Sequence, residues 1–108
     1  MGFYDFNQMG FTQKRENVFI KSITGQKLQM LIVRLQRGEK TDHSHPQEQM
    51  GYILSGKVEL TIADEKRVCG PGEGYYIPGN VQHGFEVLSE EGLEYIEIFS
   101  PPKVENKL

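Results

Sequence analysis

All three histidines of the chain fall in two short stretches. His43 and His45 lie two apart in "HSHPQEQMGYILSG", and His83 closes "GEGYYIPGNVQH". Imidazole ligates Zn, Ni, Cu, Fe and Mn alike, so a converging set of histidines would hold a divalent transition metal without naming it. On extended backbone, residues two apart share a face. His43 and His45 can therefore meet one ion from a single strand end, and His83 can approach it from a later strand. A lone His-x-His also arises by chance in surface loops. The companion ligand would come from Gln47, Glu48 or Gln49. Glu48 is the carboxylate, but position 49 is four from His45 and shares its face wherever the chain stays extended. Pro46 can interrupt that counting, so spacing alone leaves both open.

The elements that would carry these side chains are short strands punctuated by turns. Extended runs are expected at 18–23, 27–35, 50–54, 57–63, 66–69, 75–78, 83–88 and 93–99. Val58, Leu60 and Ile62 alternate with Glu59 and Thr61, the period of a half-buried strand. Ser55-Gly56 is a candidate two-residue hairpin turn. Ala63-Asp64-Glu65, Gly70-Pro71-Gly72 and Ser89–Gly92 mark further turns, and Pro101-Pro102 ends the last strand because proline cannot donate to a ladder. No long stretch has helical periodicity, and the chain carries twelve glycines. This predicts one all-β domain, a sandwich or small barrel, over residues 1–108. Its core is expected at 18–100. An aromatic segment, 1–17, would pack on the barrel or on a dimer partner, and the tail, 101–108, would fray.

Composition narrows the function. The net charge is −3 and there is no basic block, which argues against nucleic acid or an anionic membrane surface as partner. Cys69 is the single cysteine, so no internal disulfide can form, which fits a reducing cytoplasm. It reads as a small apolar strand residue. No signal peptide and no membrane-length apolar run are evident.

The two histidine stretches resemble the cupin motifs G-x(5)-H-x-H-x(3,4)-E-x(6)-G and G-x(5)-P-x-G-x(2)-H-x(3)-N. His43, His45, Gln49 and Gly56 fit the first spacing; Gly72, Pro78 and His83 fit the second. Gly38 lies one residue nearer His43 than the pattern asks. Asn80 stands for an inner glycine, and Val87 for the final asparagine. Gln49 stands for the usual glutamate, and the spacing to Gly56 selects it over Glu48. The resemblance implies a cupin, a double-stranded β-helix or jelly-roll barrel, with one divalent transition metal (Zn, Ni, Mn or Fe) on His43, His45, Gln49 and His83. Three imidazoles and an amide would leave that ion its full charge, suited to an anionic substrate.

In "LEYIEIF", Tyr95, Glu97 and Phe99 share one face and Ile96 and Ile98 the other. Alternation alone does not say which face looks inward. "HSHPQEQMGYILSG" with a closing "IEIFSPPK" is similar to the small cupins of the pectin-degradation (KdgF) type, which open the ring of 4,5-unsaturated monouronates. That resemblance implies Glu97 in the catalytic position held there by aspartate. It places Phe99 and Tyr95 beside the substrate, and Lys103 where the family has the arginine that binds the sugar acid. Lysine lacks the bidentate fork of arginine. Tyr52, Tyr75, Tyr76, Met30 and Phe85 would line walls or core, and Arg34 and Arg37 would be solvated. The implied function is metal-dependent ring opening of an unsaturated uronate from pectin or alginate, by a cytoplasmic homodimer. The alternatives are a cupin dioxygenase using non-haem iron and a non-catalytic cupin whose metal anchors a small acid.

Overall fold

The computed structural model describes residues 2–108. Ten strands are laid down in chain order: β1 Thr12–Arg15, β2 Val18–Thr24, β3 Gln29–Leu35, β4 Lys40–His43, β5 Glu48–Ser55, β6 Val58–Ile62, β7 Glu65–Cys69, β8 Gly74–Ile77, β9 His83–Val87 and β10 Leu93–Ser100. A single 3-10 turn, Val104–Asn106, follows. They form two antiparallel sheets, a six-stranded one in the order β1-β2-β3-β10-β5-β8 and a four-stranded one in the order β4-β9-β6-β7. Among the described residues no helix is long and apolar enough to cross a membrane.

The period-two pattern decides what lies between the sheets. On β3, Leu31, Val33 and Leu35 point in, while Met30 and Arg34 point out. On β10, Leu93, Tyr95, Glu97 and Phe99 are buried and alternate with half-buried Glu94, Ile96 and Ile98. β10 sits between β3 and β5 and is paired along its whole length. Its inner face therefore looks into the barrel, which settles the alternation that the sequence left open. Ile53, Val58 and Val87 complete the apolar core from both sheets.

Four expectations need correction. Ser55-Gly56 is not a hairpin turn, because β5 belongs to the six-stranded sheet and β6 to the four-stranded one. The chain there crosses between sheets; the real hairpin is β6–β7, turning at Ala63-Asp64. His43 and His45 do not share a strand: β4 ends at His43, and His45 lies in the bend before β5. Tyr52, Tyr76 and Met30 are on the outer face, 49%, 49% and 36% exposed, because inward Ile53, Ile77 and Leu31 fix the parity of their neighbours. Finally, the tail does not fray. Asn106 is 2% exposed. Its carbonyl accepts from the Ser22 hydroxyl at 2.6 Å, and its side-chain oxygen accepts from the Lys14 ammonium at 2.5 Å. Buried Gln29 binds the backbone of Lys103 twice, donating to its carbonyl at 3.0 Å and accepting from its N–H at 3.1 Å.

The N-terminal segment lies along the six-stranded sheet. β1 pairs with β2, and the Phe11 ring meets the Lys21 ammonium at 4.5 Å and the Arg34 guanidinium at 4.3 Å.

Gly56 makes the crossover between sheets possible. Its φ is +91°, where a side chain is strained, and a Cβ there would collide with the Gly92 carbonyl oxygen. Gly56→Ala should cost about 2–4 kcal/mol of stability. Urea unfolding of the two proteins checks this, and a midpoint unchanged from wild type would refute it.

Candidate metal centre

Both sheets contribute to one end of the barrel. His43 on β4 and His83 on β9 are direct cross-strand partners. His45 comes from the β4–β5 bend, and Gln49 from β5. The loop before β9 holds that bend in place. Asn80, in the left-handed region at φ 66°, donates its N–H to the His45 carbonyl at 2.7 Å. Gly79 lies so close to Pro46 that a Cβ would strike its carbonyl oxygen. Asparagine thus serves the turn as expected, and Val87, in place of the motif's asparagine, is buried in the core. One nitrogen each of His43, His45 and His83 lies within 4.8 Å of the others.

The donor set fits a divalent cation. His45 Nδ1 faces the Gln47 carbonyl at 3.0 Å, and His83 Nδ1 faces the Val81 carbonyl at 2.9 Å. A carbonyl only accepts, so each Nδ1 carries the proton and each Nε2 presents a lone pair. His83 Nε2 is buried with no hydrogen-bond partner. His45 Nε2 faces Gln49 Oε1 at 3.1 Å. These are two acceptors turned toward one another, an arrangement that a cation between them resolves. Protonating the rings instead is opposed by their surroundings. Burial, then the neighbouring charges of His83, Lys103 and His45, push His43 down to about 4. Burial, Lys103 and His83 lower His45 as well. Neutral imidazoles are what a metal requires.

Gln49 is held in the orientation that offers its oxygen. Its amide nitrogen donates to Glu97 Oε2 at 2.5 Å and to the Tyr75 hydroxyl at 3.3 Å, which turns Oε1 toward the histidines. Tyr75 in turn donates to Glu97 Oε2 at 3.2 Å. Its ring lies against Gly51, its cross-strand partner, where a Cβ would collide with the ring. Glu48, the tempting carboxylate, is outside, accepting from the Tyr76 hydroxyl at 3.1 Å. Glu97 is 7% exposed. Burial raises it to about 7, against the opposing pull of Tyr75, Lys103, Lys14 and Tyr95.

The same pocket gathers Tyr95, Phe99, Lys103, Phe85 and Thr41 around these groups. Phe99 stands edge-on to His45 at 5.7 Å and carries the Lys103 ammonium 5.1 Å over its ring. Arg34 and Arg37 are outside, paired with Glu94 and Glu90.

The family described as Cupin_2, a cupin domain, matches residues 31–99. This chain belongs to the cupin family. The cupin is 35% identical to the pectin degradation protein KdgF of Dickeya dadantii over 80 residues, covering 72% of each chain. The solved KdgF of a Halomonas species superposes with a TM-score of 0.88 at 26% identity, covering 97% of both chains. An RmlC-like cupin from Shewanella frigidimarina superposes with the same TM-score of 0.88 at 19% identity, covering 97% of this chain and 95% of that one, a likeness of fold.

Tyr75, expected in the walls or core, packs over Gly51 and bonds both Gln49 and Glu97. One residue of the cupin pocket carries no local signal in the sequence. Lys14 lines the pocket from β1, a strand of only four exposed residues with no apolar period. Only its partner, Asn106, reveals it.

The pH dependence of stability separates the two shifted groups in the metal-free protein. Glu97 is raised in the fold, so its stabilising contribution is present below its usual value near 4.5 and is lost as pH rises through about 7. His43 is depressed to about 4, so its contribution is present above its usual 6.5 and is lost as pH falls through about 4. The two oppose each other, and His45, lowered as well, acts in the same sense as His43. Glu97→Gln removes one arm, so the variant should gain on wild type by about 3 kcal/mol between pH 4 and 8. Denaturant titrations across that range check this; parallel curves would contradict it.

Proposed function

We propose that this cupin is a metal-dependent enzyme that opens the ring of a 4,5-unsaturated monouronate derived from pectin or alginate. The observation that carries the reading is Glu97. It is a buried carboxylate poised near neutrality, bonded to the back of Gln49, in a pocket whose other charged groups are cationic. The likeness to KdgF, whose name places it in pectin degradation, supports the substrate class.

His43, His45, Gln49 and His83 would hold one ion of Zn, Ni, Mn or Fe. Such an ion supplies Lewis acidity toward the sugar acid's oxygens. Lys103 pairs with the substrate carboxylate, and Phe99 and Tyr95 wall the ring in. Glu97, half protonated near pH 7, gives a proton to the enol-ether double bond at the carbon remote from the ring oxygen. Water adds at the other carbon, and the resulting hemiketal opens to a linear keto acid. Glu97 recovers its proton in that step, with Tyr75 holding the carboxylate in place.

The dioxygenase and the non-catalytic acid-binding readings are separated by one assay. Protein loaded with each metal and given the unsaturated uronate under argon should convert it to the keto acid, followed by NMR. Glu97→Gln should lower kcat at least about 100-fold, and His83→Ala should lose metal by elemental analysis. Metal-loaded protein that binds the uronate without turnover would leave the binding reading, and a strict requirement for oxygen would leave the dioxygenase.

We also propose a homodimer, with the cytoplasm as its compartment. The outer face of the six-stranded sheet exposes Leu28, Met30, Met50, Tyr52 and Tyr76, while the outer face of the four-stranded sheet carries Lys40, Glu59, Lys66 and Glu86. The first face is the more apolar of the two, with Glu48 at its edge accepting from the Tyr76 hydroxyl, and a contiguous apolar face of this kind marks an interface. Light scattering at micromolar concentration should give the dimer mass, and Met50→Lys should give the monomer. A monomeric wild type would reject the interface.

A further inference from the structure

Lys14 and Lys103 reach the pocket from opposite ends of the chain, and the C-terminal turn joins their supports. Lys103 is fixed through its backbone by the two bonds from Gln29, which is 1% exposed. Three residues later Asn106 takes one proton of the Lys14 ammonium, leaving two donors free. Two buried amide side chains are thus spent on placing two lysines. Their charges reach one another. Burial, then the positive charge of Lys103, lowers Lys14, while Glu105 and Glu97 draw it back up. Like charges gathered at a pocket lie at a cost unless an anion lies between them.

The geometry points to a two-lysine clamp in which Lys14 and Lys103 each take one oxygen of the same substrate carboxylate. The inference rests on the reading that an acid occupies this pocket. It extends that reading with a substrate contact outside the resemblance, carried by a strand that the family match, residues 31–99, does not include. A lysine at position 103 loses the fork of an arginine; a second ammonium from β1 restores two-point grip on a carboxylate. The preferred ligand is then a compact sugar acid, and an uncharged sugar of the same shape gains nothing from either lysine.

The test is calorimetric titration of metal-loaded protein with D-galacturonate, a saturated acid with no ring double bond, and with D-galactose. Wild type should bind the acid more tightly. Lys14→Gln and Lys103→Gln should each weaken it about 10-fold, the scale of one charge-assisted bond, with no change for galactose. Lys14→Arg should retain the affinity to within about twofold. Lys14→Gln binding the acid as tightly as wild type overturns the clamp. An equal loss in Lys14→Arg, accompanied by a lower melting temperature, assigns Lys14 to pinning the tail and also overturns it. The reaction and the clamp fail separately. Absence of uronate turnover, with galacturonate binding still dependent on Lys14, removes the reaction and keeps the clamp. Turnover with KM unmoved by Lys14→Gln keeps the reaction and removes the clamp.

Discussion

The hydrogen bond from the Gln49 amide to Glu97 is the contact on which the rest of the site depends. An amide has a donor end and an acceptor end, and Glu97 takes the donor end. The acceptor end can then point only at His45 and the other histidines. Position 49 and position 97 specify one another through this contact. A glutamate at 49, the residue of the general motif, would set two carboxylates against each other at hydrogen-bond distance in a buried pocket, and one of them would have to stay protonated. A glutamine at 49 with an apolar residue at 97 would leave the amide free to turn its nitrogen toward the ion. The departure from the motif is therefore the half of the pair that makes the other half usable.

The fold supplies this contact by register. Gln49 pairs with Phe99, and Gly51 with Glu97, across the β5–β10 ladder. Gln49 also pairs with Ile77, and Gly51 with Tyr75, across β5–β8. Gln49, Tyr75, Glu97 and Phe99 thus come from three adjacent strands at one level of the barrel. Gly51 has no side chain to fill that level, and the Tyr75 ring occupies the space. A one-residue slip of β10 would send Glu97 outward and Ile96 or Ile98 inward. The full pairing of β10 on both sides resists that slip.

What the sequence made legible follows from which signals are local. The strands of the core showed themselves by alternation, and the three histidines that the fold brings together by their motif spacing. β4 went unseen, because "KTDH" has one half-buried position and no apolar residue. β1 went unseen for the same reason. The sheet to which each strand belongs is a long-range fact. Ser55-Gly56 has the composition of a hairpin and serves as a crossover, since a positive φ suits both. Gln49 points inward although the chain bends at Pro46, because the register of β5 against β10 sets its direction. Lys14 and Tyr75 belong to the pocket through partners 92 and 26 residues away, and no window of sequence spans such pairs.

The charge of the site follows from the same arrangement. A glutamate ligand would place its negative charge on the ion itself. Here the first neighbours are neutral and the carboxylate sits one amide behind them. Its pull on the amide hydrogens shifts electron density toward Gln49 Oε1, so on the proposed reading the oxygen would serve as a ligand while the ion kept more of its charge for an incoming acid. The carboxylate also stays free to exchange a proton, which a metal-bound one could not do as readily. On the proposed reading Glu97 would both tune Gln49 and exchange the proton, and both roles would depend on its burial. Buried Tyr95 and, from the C-terminal turn, buried Asn106 stand in the wall of the same pocket. A tail that looks dispensable by sequence thus forms part of the surroundings that bury Glu97.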